Sequence, residues 1–176
     1  MSRLDPERAF VPLNLAVMTV SDTRTLETDK SGGYLAERIE AAGHVLADRA
    51  IIADDRLAIR AQAAQWIAAR GVDGILTTGG TGLTGRDVTP EAIEPLFDKR
   101  IEGFAVLFHQ VSFQSVGVST LQSRATAGLA GGTFVFCLPG STGACRDAWE
   151  HILVYEFDSR HRPCNLAELK PRLNER

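Results

Sequence analysis

The chain contains 176 residues, 44% of them hydrophobic and 23% charged, which predicts one compact domain over residues 1–176 with a substantial core. Its formal net charge is −3 and its basic residues do not cluster in runs, so we expect no nucleic-acid partner. No apolar stretch is long enough to span a membrane and the first ten residues are not signal-like, so we expect no membrane partner and a cytoplasmic protein.

Hydrophobic periodicity predicts alternating strands and helices along the first half of the chain. A polar arm over residues 1–11 precedes a buried strand that leads to Ser21 and Asp22. The predicted elements are a strand over 13–20, a helix over 32–42, a strand over 44–52, a helix from Asp54 or Asp55 to Arg70, and a strand over 74–78. Because strands that alternate with helices form parallel sheets covered on both faces, we predict an α/β fold.

The second half of the chain continues this alternation. A helix is predicted over residues 90–97, and residues 103–118 are apolar with helical spacing, which indicates a core face or a subunit interface. The residues of that stripe are Phe104, Leu107, Phe108 and Val111. A strand over 134–138 then meets a glycine turn and a Ser/Thr cap, ahead of the helix that contains Trp149. The tail over residues 160–176 is predicted to be loosely packed.

A glycine-rich loop over residues 79–87 lies between the third strand and the next helix. Thr89 is the predicted N-cap of that helix and Pro90 its first residue. Glycines allow a ligand to approach the backbone closely, and a helix N-terminus offers free N–H groups and the positive end of a dipole. We therefore predict an anion site, with a glycine turn that holds no ligand as the alternative.

Two general phosphate-binding motifs overlap this loop, and neither is complete. Gly80, Gly82 and Gly85 match G-x-G-x-x-G, but a dinucleotide site needs that motif after the first strand and an acid at the end of the next one. Residues 98–103 do not resemble such a strand end. The loop also has P-loop spacing, but Arg86 stands where that motif needs lysine. A dinucleotide-dependent oxidoreductase is therefore the weakest of the functions considered.

Polar segments follow four predicted strands, and ligands of parallel sheets bind beyond the carboxyl ends of the strands. The segments are Ser21 with Asp22, Asp54 with Asp55, the glycine loop, and residues 139–142. We expect them to converge. Asp87 would repel phosphate unless a cation lay between them, and Mg²⁺ is the natural candidate, with Asp54 or Asp55 as a second ligand. The alternatives are a helix N-cap for Asp54 or Asp55 and a turn role for Asp87.

Cysteine and histidine residues indicate no further site in the sequence. The cysteines at 137, 145 and 164 have no C-x-x-C spacing, so we expect neither a disulfide framework nor a zinc site. Cys137 lies in an apolar strand, where a small buried side chain is its expected role. The four histidines are scattered without the spacing of metal ligands.

Several motifs together resemble the molybdopterin-binding family of molybdenum cofactor biosynthesis. These motifs are VSD at 20–22, LTTGGTG at 76–82, DVTPEA at 87–92 and LPGS at 138–141. Three further segments, AIRAQ at 58–62, STLQSR at 119–124 and RPCN at 162–165, narrow the resemblance to one branch of that family. The resemblance implies a three-layer α/β/α domain that assembles as a trimer or as a hexamer of two trimers.

The resemblance also implies an activity, because the best understood members are molybdopterin adenylyltransferases. They use ATP, molybdopterin and Mg²⁺ to form adenylyl-molybdopterin and pyrophosphate. The implied nucleotide contacts are Gly79, Gly80, Thr81, Gly82, Pro139, Gly140 and Ser141. The implied molybdopterin contacts are Ser21, Asp22, Ser123 and Arg124. Asp87 and, less directly, Asp54 match the acids that serve catalysis and Mg²⁺ binding.

One departure from the family pattern leaves two functions open. Dedicated adenylyltransferases commonly carry proline after the second glycine pair, where this chain has Leu83. The sequence therefore fits an adenylyltransferase and also a non-catalytic carrier or assembly scaffold that binds molybdopterin in the same pocket. Retention of both Asp54 and Asp87 favours the enzyme.

Overall fold

A computed structural model describes residues 3–69, 71–173 and 175, so the predicted helix end at Arg70 lies outside the described residues. The strands are β1 Arg3–Leu4, β2 Asn14–Val20, β3 Val45–Ile52, β4 Gly74–Thr78, β5 Lys99–Arg100, β6 Thr126–Ala130, β7 Thr133–Leu138 and β8 His161–Arg162. The α-helices are α1 Lys30–Ala41, α2 Arg56–Ala68, α3 Thr89–Ile93, α4 Glu102–Val116, α5 Thr142–Ala148, α6 Val154–Glu156 and α7 Leu166–Leu169. Short 3₁₀ segments cover Glu94–Leu96, Gly117–Gln122 and Lys170–Arg172, and a π-helical turn, Trp149–Leu153, joins α5 to α6.

Six strands form the central sheet in the order β3-β2-β4-β7-β6-β5. The first four run parallel, and β6 and β5 are antiparallel to their neighbours. The register aligns Val20 with Ile52 and Thr78 with Leu138, so the carboxyl ends of the parallel strands form one edge. The predicted α/β fold with a mostly parallel sheet is confirmed.

Alternate residues of the strands enter two separate hydrophobic clusters, one on each face of the sheet. Leu76 and Phe136 pack with α1, α4 and α5, whereas Ile75 and Val135 pack with α2 and α3. The three-layer arrangement implied by the family resemblance is therefore present. Cys137 is fully buried in β7, as its apolar surroundings predicted.

The antiparallel edge was not predicted. Residues 98–103, which did not resemble a strand end, contain the two-residue strand β5, and β5 pairs with β6. Both strands are short, and the small residues of β6 lack the apolar run that marks the central strands. Because β5 is an antiparallel edge strand, it is not the next parallel strand that a dinucleotide fold requires. The helix predicted over 90–97 ends at Ile93 and continues as a 3₁₀ turn that contains Pro95.

The prediction of a loosely packed tail over residues 160–176 was wrong for the segment from β8 to α7, and residues 174 and 176 lie outside the described residues. β8 pairs with β1 of the predicted polar arm, and Asn165 is 2% exposed. Its Oδ1 accepts a bond from Glu168 N (2.8 Å) and its Nδ2 donates to His161 O (3.0 Å), so a local cap starts α7. Ala167 of α7 then joins the core. Among the described residues, no helix is both long and apolar enough to cross a membrane.

Candidate functional site

The polar segments predicted to converge do meet at the carboxyl edge of the sheet. Asp22 Oδ1 accepts a hydrogen bond from Asp54 N (3.1 Å), and the Asp22 carboxylate forms an ion pair with Arg86 of the glycine loop. Gly79 N donates to Leu138 O (3.1 Å), at the end of β7. Asp22 therefore links the ends of β2 and β3 to the glycine loop, while Gly79 links that loop to β7.

Two glycines of the loop adopt backbone conformations that other residues rarely take. Gly79 has φ +103° and Gly80 has φ +64°. A Cβ added to Gly79 would overlap the carbonyl oxygen of Val20, and one added to Gly80 would overlap the Thr89 hydroxyl. Glycine is therefore required at both positions because the loop lies directly against β2 and the start of α3.

Thr89 does not cap the helix behind the loop, so that prediction was wrong. Val88 is the N-cap and makes no side-chain capping bond. Thr89 Oγ1 donates instead to Gly79 O (2.9 Å), and Thr89 N donates to Gly80 O (2.9 Å). This amide is therefore engaged by the loop and is not one of the free donors expected at that helix end.

Asp87 has the turn role that the sequence left open. Its Oδ2 accepts hydrogen bonds from Thr84 N (2.9 Å) and Thr84 Oγ1 (2.7 Å), both within the same loop. The bond from the Thr84 hydroxyl is the main cause that holds the pKa of Asp87 below its ordinary value, with Arg124 nearby as a further cause. The carboxylate is therefore ionised and held in one direction.

The structure distinguishes Asp54 from Asp55. Asp55 is the N-cap of α2, and its Oδ1 accepts a bond from Ala58 N (2.8 Å). Asp54 makes no such cap and faces the glycine loop, since a Cβ on Gly80 would lie 3.4 Å from Asp54 Oδ1. Burial raises the pKa of Asp54, and the negative charge of Asp87 raises it further. The acid that faces the loop is thus Asp54.

Asp54 and Asp87 offer part of a cation site. Within the described residues, no group of three or more histidine, cysteine, aspartate or glutamate side chains could hold a metal ion. Burial is the main cause that raises the pKa of Asp54, and a cation between the two carboxylates would offset the smaller contribution, repulsion from Asp87. Mg²⁺ commonly takes one or two carboxylates and completes its shell with substrate phosphate and water, so the pair fits an ion that arrives with a phosphate ligand.

Arg124 lies against the glycine loop from outside. Its Nε donates to Gly82 O (2.8 Å), its Nη2 donates to Asp87 O (2.7 Å), and its Nη1 pairs with the Glu91 carboxylate. The neighbouring Ser123 has a buried Oγ that finds no hydrogen-bond partner within the described part of the chain. Nothing in the sequence signalled the contacts of Arg124, because its partners lie more than 30 residues away.

Two adjoining cavities occupy this edge. The first has a volume of about 380 Å³ and contains the predicted nucleotide contacts together with Asp87 and Ser123. Its lining residues are Gly79, Gly80, Thr81, Gly82, Asp87, Ser119, Gln122, Ser123, Pro139, Gly140 and Ser141. Ser21, Asp22 and Arg124 do not line it, so their contact with molybdopterin stays a prediction.

The second cavity has a volume of about 320 Å³ and shares a wall with the first. Residues common to both are Ser119, Ser123, Pro139 and Ser141. Its other polar lining residues are Ser112, Ser115, Thr120, Arg146 and Asp147. Sequence reasoning missed these hydroxyls, although Ser112, Ser115 and Ser119 recur at the spacing of one helix face, which is a readable signal.

Known proteins of one family are similar to nearly all of this chain. Residues 16–159 match the family described as "Probable molybdopterin binding domain". The chain is 51% identical over 165 residues to molybdenum cofactor biosynthesis protein B of Escherichia coli (strain K12), which covers 94% of this chain and 96% of that protein. Molybdenum cofactor biosynthesis protein B of Staphylococcus carnosus (strain TM300) is 46% identical over 149 residues, 83% of this chain and 87% of that protein.

A solved structure is similar over nearly the whole chain. The crystal structure of a molybdenum cofactor biosynthesis protein B has a TM-score of 0.86 and 38% sequence identity, and it covers 96% of this chain and 100% of that one. These relatives belong to the branch indicated by the motifs at 58–62, 119–124 and 162–165. The chain is therefore a member of the molybdopterin-binding family of molybdenum cofactor biosynthesis proteins.

Proposed function

We propose that this protein acts in molybdenum cofactor biosynthesis by binding molybdopterin and adenylylating it with Mg-ATP, with release of pyrophosphate. The observation that carries the proposal is the pair of adjoining cavities at the carboxyl edge of the sheet. One is lined by glycine-loop backbone and a carboxylate, and the other by hydroxyl groups. Two substrates placed in them would meet at their shared wall, which is the arrangement a transfer between them requires.

The nucleotide is assigned to the cavity of the glycine loop. Gly79 to Gly82 on one side and Pro139 to Ser141 on the other leave backbone atoms open to close approach by phosphate and ribose. The pterin is assigned to the second cavity, where serine and threonine hydroxyls can both donate and accept hydrogen bonds to a heterocycle. The unpartnered Ser123 Oγ at the shared wall supports a ligand there, because a buried hydroxyl without a bond is costly.

Asp54 and Asp87 are the residues that would hold Mg²⁺. When bound, the ion would neutralise charge on the triphosphate. Asp87 is prepared for this role because the Thr84 bonds keep its carboxylate ionised and oriented. The raised pKa of Asp54 fits the same role, since a positive charge beside the pair would offset the repulsion from Asp87.

In the proposed reaction the terminal phosphate oxygen of molybdopterin attacks the α-phosphorus of ATP. A new P–O bond forms while the bond from the α-phosphorus to the bridging oxygen breaks, and pyrophosphate leaves with that electron pair. The chain has no covalent part in this exchange. Its contribution is to hold the two substrates in line and to place charge where the transition state develops it.

A non-catalytic carrier or scaffold is the second candidate, and Leu83 is the observation that favours it. Leu83 is 68% exposed at the tip of the glycine loop, where dedicated adenylyltransferases of the family commonly have proline. A loop without that proline is less restricted in its backbone. Such a protein would use the same cavities to bind molybdopterin or its product without turnover.

Pyrophosphate release separates the two candidates. With ATP, Mg²⁺ and molybdopterin, we expect pyrophosphate in an amount equal to the molybdopterin supplied, and none after addition of a chelator or when either substrate is omitted. Calorimetry on the same preparation measures molybdopterin binding. Binding without pyrophosphate release would reject the enzyme and support the carrier.

We further propose assembly as a trimer or a trimer-based hexamer through the outer side of α4 and the following 3₁₀ turn. Phe104 and Phe108 of the predicted stripe enter the core, whereas other apolar side chains of this segment are exposed. The exposed ones are Val106, Leu107, Phe113, Val116, Val118 and Leu121. Val118 and Leu121, 80% and 83% exposed, give a patch of the kind that marks a protein interface.

Light scattering at micromolar concentration tests the assembly. We expect a trimer or hexamer for the wild type and monomers for Leu121→Asp. Leu57→Asp is the matched control because Leu57 is 73% exposed on α2, away from this segment. A wild-type monomer would contradict the proposal.

A further inference from the structure

Arg124 makes several hydrogen bonds with the glycine loop and an ion pair with the helix that follows it. Besides the three guanidinium contacts with Gly82, Asp87 and Glu91, its backbone N donates to Thr81 O (2.9 Å). We infer that Arg124 is a positioning residue that sets the shape of the glycine loop and the direction of Asp87, and that it does not bind the substrate phosphate. The inference rests on the proposed function only in its kinetic consequences.

The side-chain contacts of Arg124 run from the centre of the loop to the helix that follows it. Gly82 lies at its centre, Asp87 at its end, and Glu91 in the helix that follows. Because one rigid, planar group bonds to all three, it fixes their mutual distances. The bond to the carbonyl of Asp87 holds the backbone that carries the carboxylate, while Thr84 holds the carboxylate itself.

The same contacts engage three of the five N–H donors of the guanidinium. Nε and both terminal nitrogens are already bonded to loop oxygens or to the Glu91 carboxylate. Arg124 does not line either cavity assigned to the substrates. It lines a different cavity of about 320 Å³, in which Glu91 is paired with Arg124 itself and Glu94 with Arg100.

Arg60 provides a matched comparison for Arg124. Arg60 approaches the short helix α3 from α2, and its Nε donates to Ala92 O (3.0 Å) and its Nη2 to Glu91 O (3.0 Å). It therefore makes arginine-to-carbonyl bonds of the same kind as Arg124, but to α3 instead of the glycine loop. None of these bonds involves a residue of the glycine loop, so Arg60 separates support of the helix from support of the loop.

Amide hydrogen exchange of the ligand-free protein tests the positioning role without any activity. In Arg124→Met we expect exchange of residues 80–88 to accelerate by about tenfold, because bonds that hold the loop are lost. In Arg60→Met we expect acceleration only in residues 89–96. Unchanged exchange of residues 80–88 in Arg124→Met would overturn the inference. If Arg124→Met does not fold, Glu91→Gln removes the charged anchor, and exchange of residues 80–88 should still accelerate.

Kinetics of Arg124→Lys then distinguish a rigid fork from a point charge. Lysine keeps the charge but cannot bridge three acceptors in fixed geometry. We expect the kcat of this variant for pyrophosphate release to fall by about 10- to 100-fold, because small displacements of reacting groups cause losses of this size. The KM for molybdopterin should stay within about twofold of the wild-type value. Near-wild-type kcat in Arg124→Lys, or a raised KM for molybdopterin with loop exchange unchanged, would show a phosphate ligand instead. A wild type without turnover would reject the proposed function, and the exchange experiment would still decide the role of Arg124.

Discussion

The two strand-to-helix junctions of the site are built in different ways. After β7, Pro139 and Gly140 lead to Ser141, whose Oγ accepts a bond from Ala144 N (3.1 Å) and starts α5. After β4, residues 79–88 separate the strand from α3, and the bonds that hold them come from Thr89 and from the distant Arg124. The β7 junction combines a local cap with one distant bond, from Thr78 Oγ1 to Pro139 O (3.0 Å), whereas the β4 junction is a longer loop held mainly by tertiary contacts.

The two junctions should therefore respond differently to substitution. A cap is made by residues of its own turn, so changes elsewhere in the chain leave the cap itself intact. The glycine loop presents Asp87 to the cavity only while several separate groups hold its backbone. Substitutions at the β4 junction should therefore affect ligand binding and turnover. At the β7 junction, loss of the Ser141 cap should lower stability and, because Pro139 to Ser141 line the proposed nucleotide cavity, nucleotide binding as well.

The largest effect is expected for Asp87→Asn, which keeps the shape of the side chain and removes its charge. If the carboxylate organises Mg²⁺ around the developing charge, the rate of pyrophosphate release should fall by on the order of 10² or more. Molybdopterin affinity and the oligomer should be unchanged. Asp55→Asn is the control because asparagine also caps helices, and it should retain activity. Near-wild-type release from Asp87→Asn would leave Asp87 with its turn role alone.

Gly80→Ala should be the next most damaging change. The positive φ of Gly80 and the overlap of a Cβ with the Thr89 hydroxyl should together lower the free energy of unfolding by about 2–3 kcal/mol. Gly85→Ala in the same loop meets nothing within 4 Å and should be close to neutral. Urea denaturation measures both variants. Equal stabilities would mean that the loop is not held against Thr89.

Ser141→Ala tests the β7 junction. Loss of the cap should lower the free energy of unfolding by about 1 kcal/mol, and Ser141→Asn should restore most of it. Thermal unfolding of the three proteins gives the comparison. A loss that asparagine does not recover would indicate that Ser141 stabilises this junction by contacts other than the cap.

Asp54→Asn should have the smallest effect on stability, and of opposite sign. The pKa of Asp54 is higher in the folded state than its ordinary value. Ionisation of Asp54 therefore lowers the free energy of unfolding as the pH rises through the folded-state pKa. Below the ordinary pKa of aspartate this loss is absent. At pH 7 the variant should be more stable by about 0.5 kcal/mol, the scale of a like-charge pair near the surface.

The stability difference for Asp54→Asn should disappear in acid, where aspartate is protonated in both states. The same variant should bind Mg-ATP more weakly while its molybdopterin affinity is retained. Denaturation at pH 7 and pH 3 and calorimetry with both ligands check these outcomes. A variant that is less stable at pH 7, or a wild-type protein that binds ATP equally with and without chelator, would contradict a metal-bridged acid pair.

Local sequence patterns were sufficient to predict the strands of the parallel part of the sheet. β2, β4 and β7 are short apolar runs next to glycine or polar turns, and their ends lie within one residue of the predicted bounds. Parallel pairing then brings their carboxyl ends together by geometry alone, which explains why the convergence of the polar segments could be predicted. The glycine loop could also be predicted from the sequence, since Gly79 and Gly80 have positive φ angles that favour glycine.

Tertiary structure decided the features that depend on residues far apart in the chain. The pattern could not separate Asp54 from Asp55, because only packing shows that one caps α2 while the other faces the loop. Nor could it show that Arg124 holds the loop, since a side chain more than 30 residues away leaves no periodic signal at its partners. Hydrophobic periodicity records which face of an element is buried, whereas the direction of a polar side chain depends on the neighbours that folding brings to it.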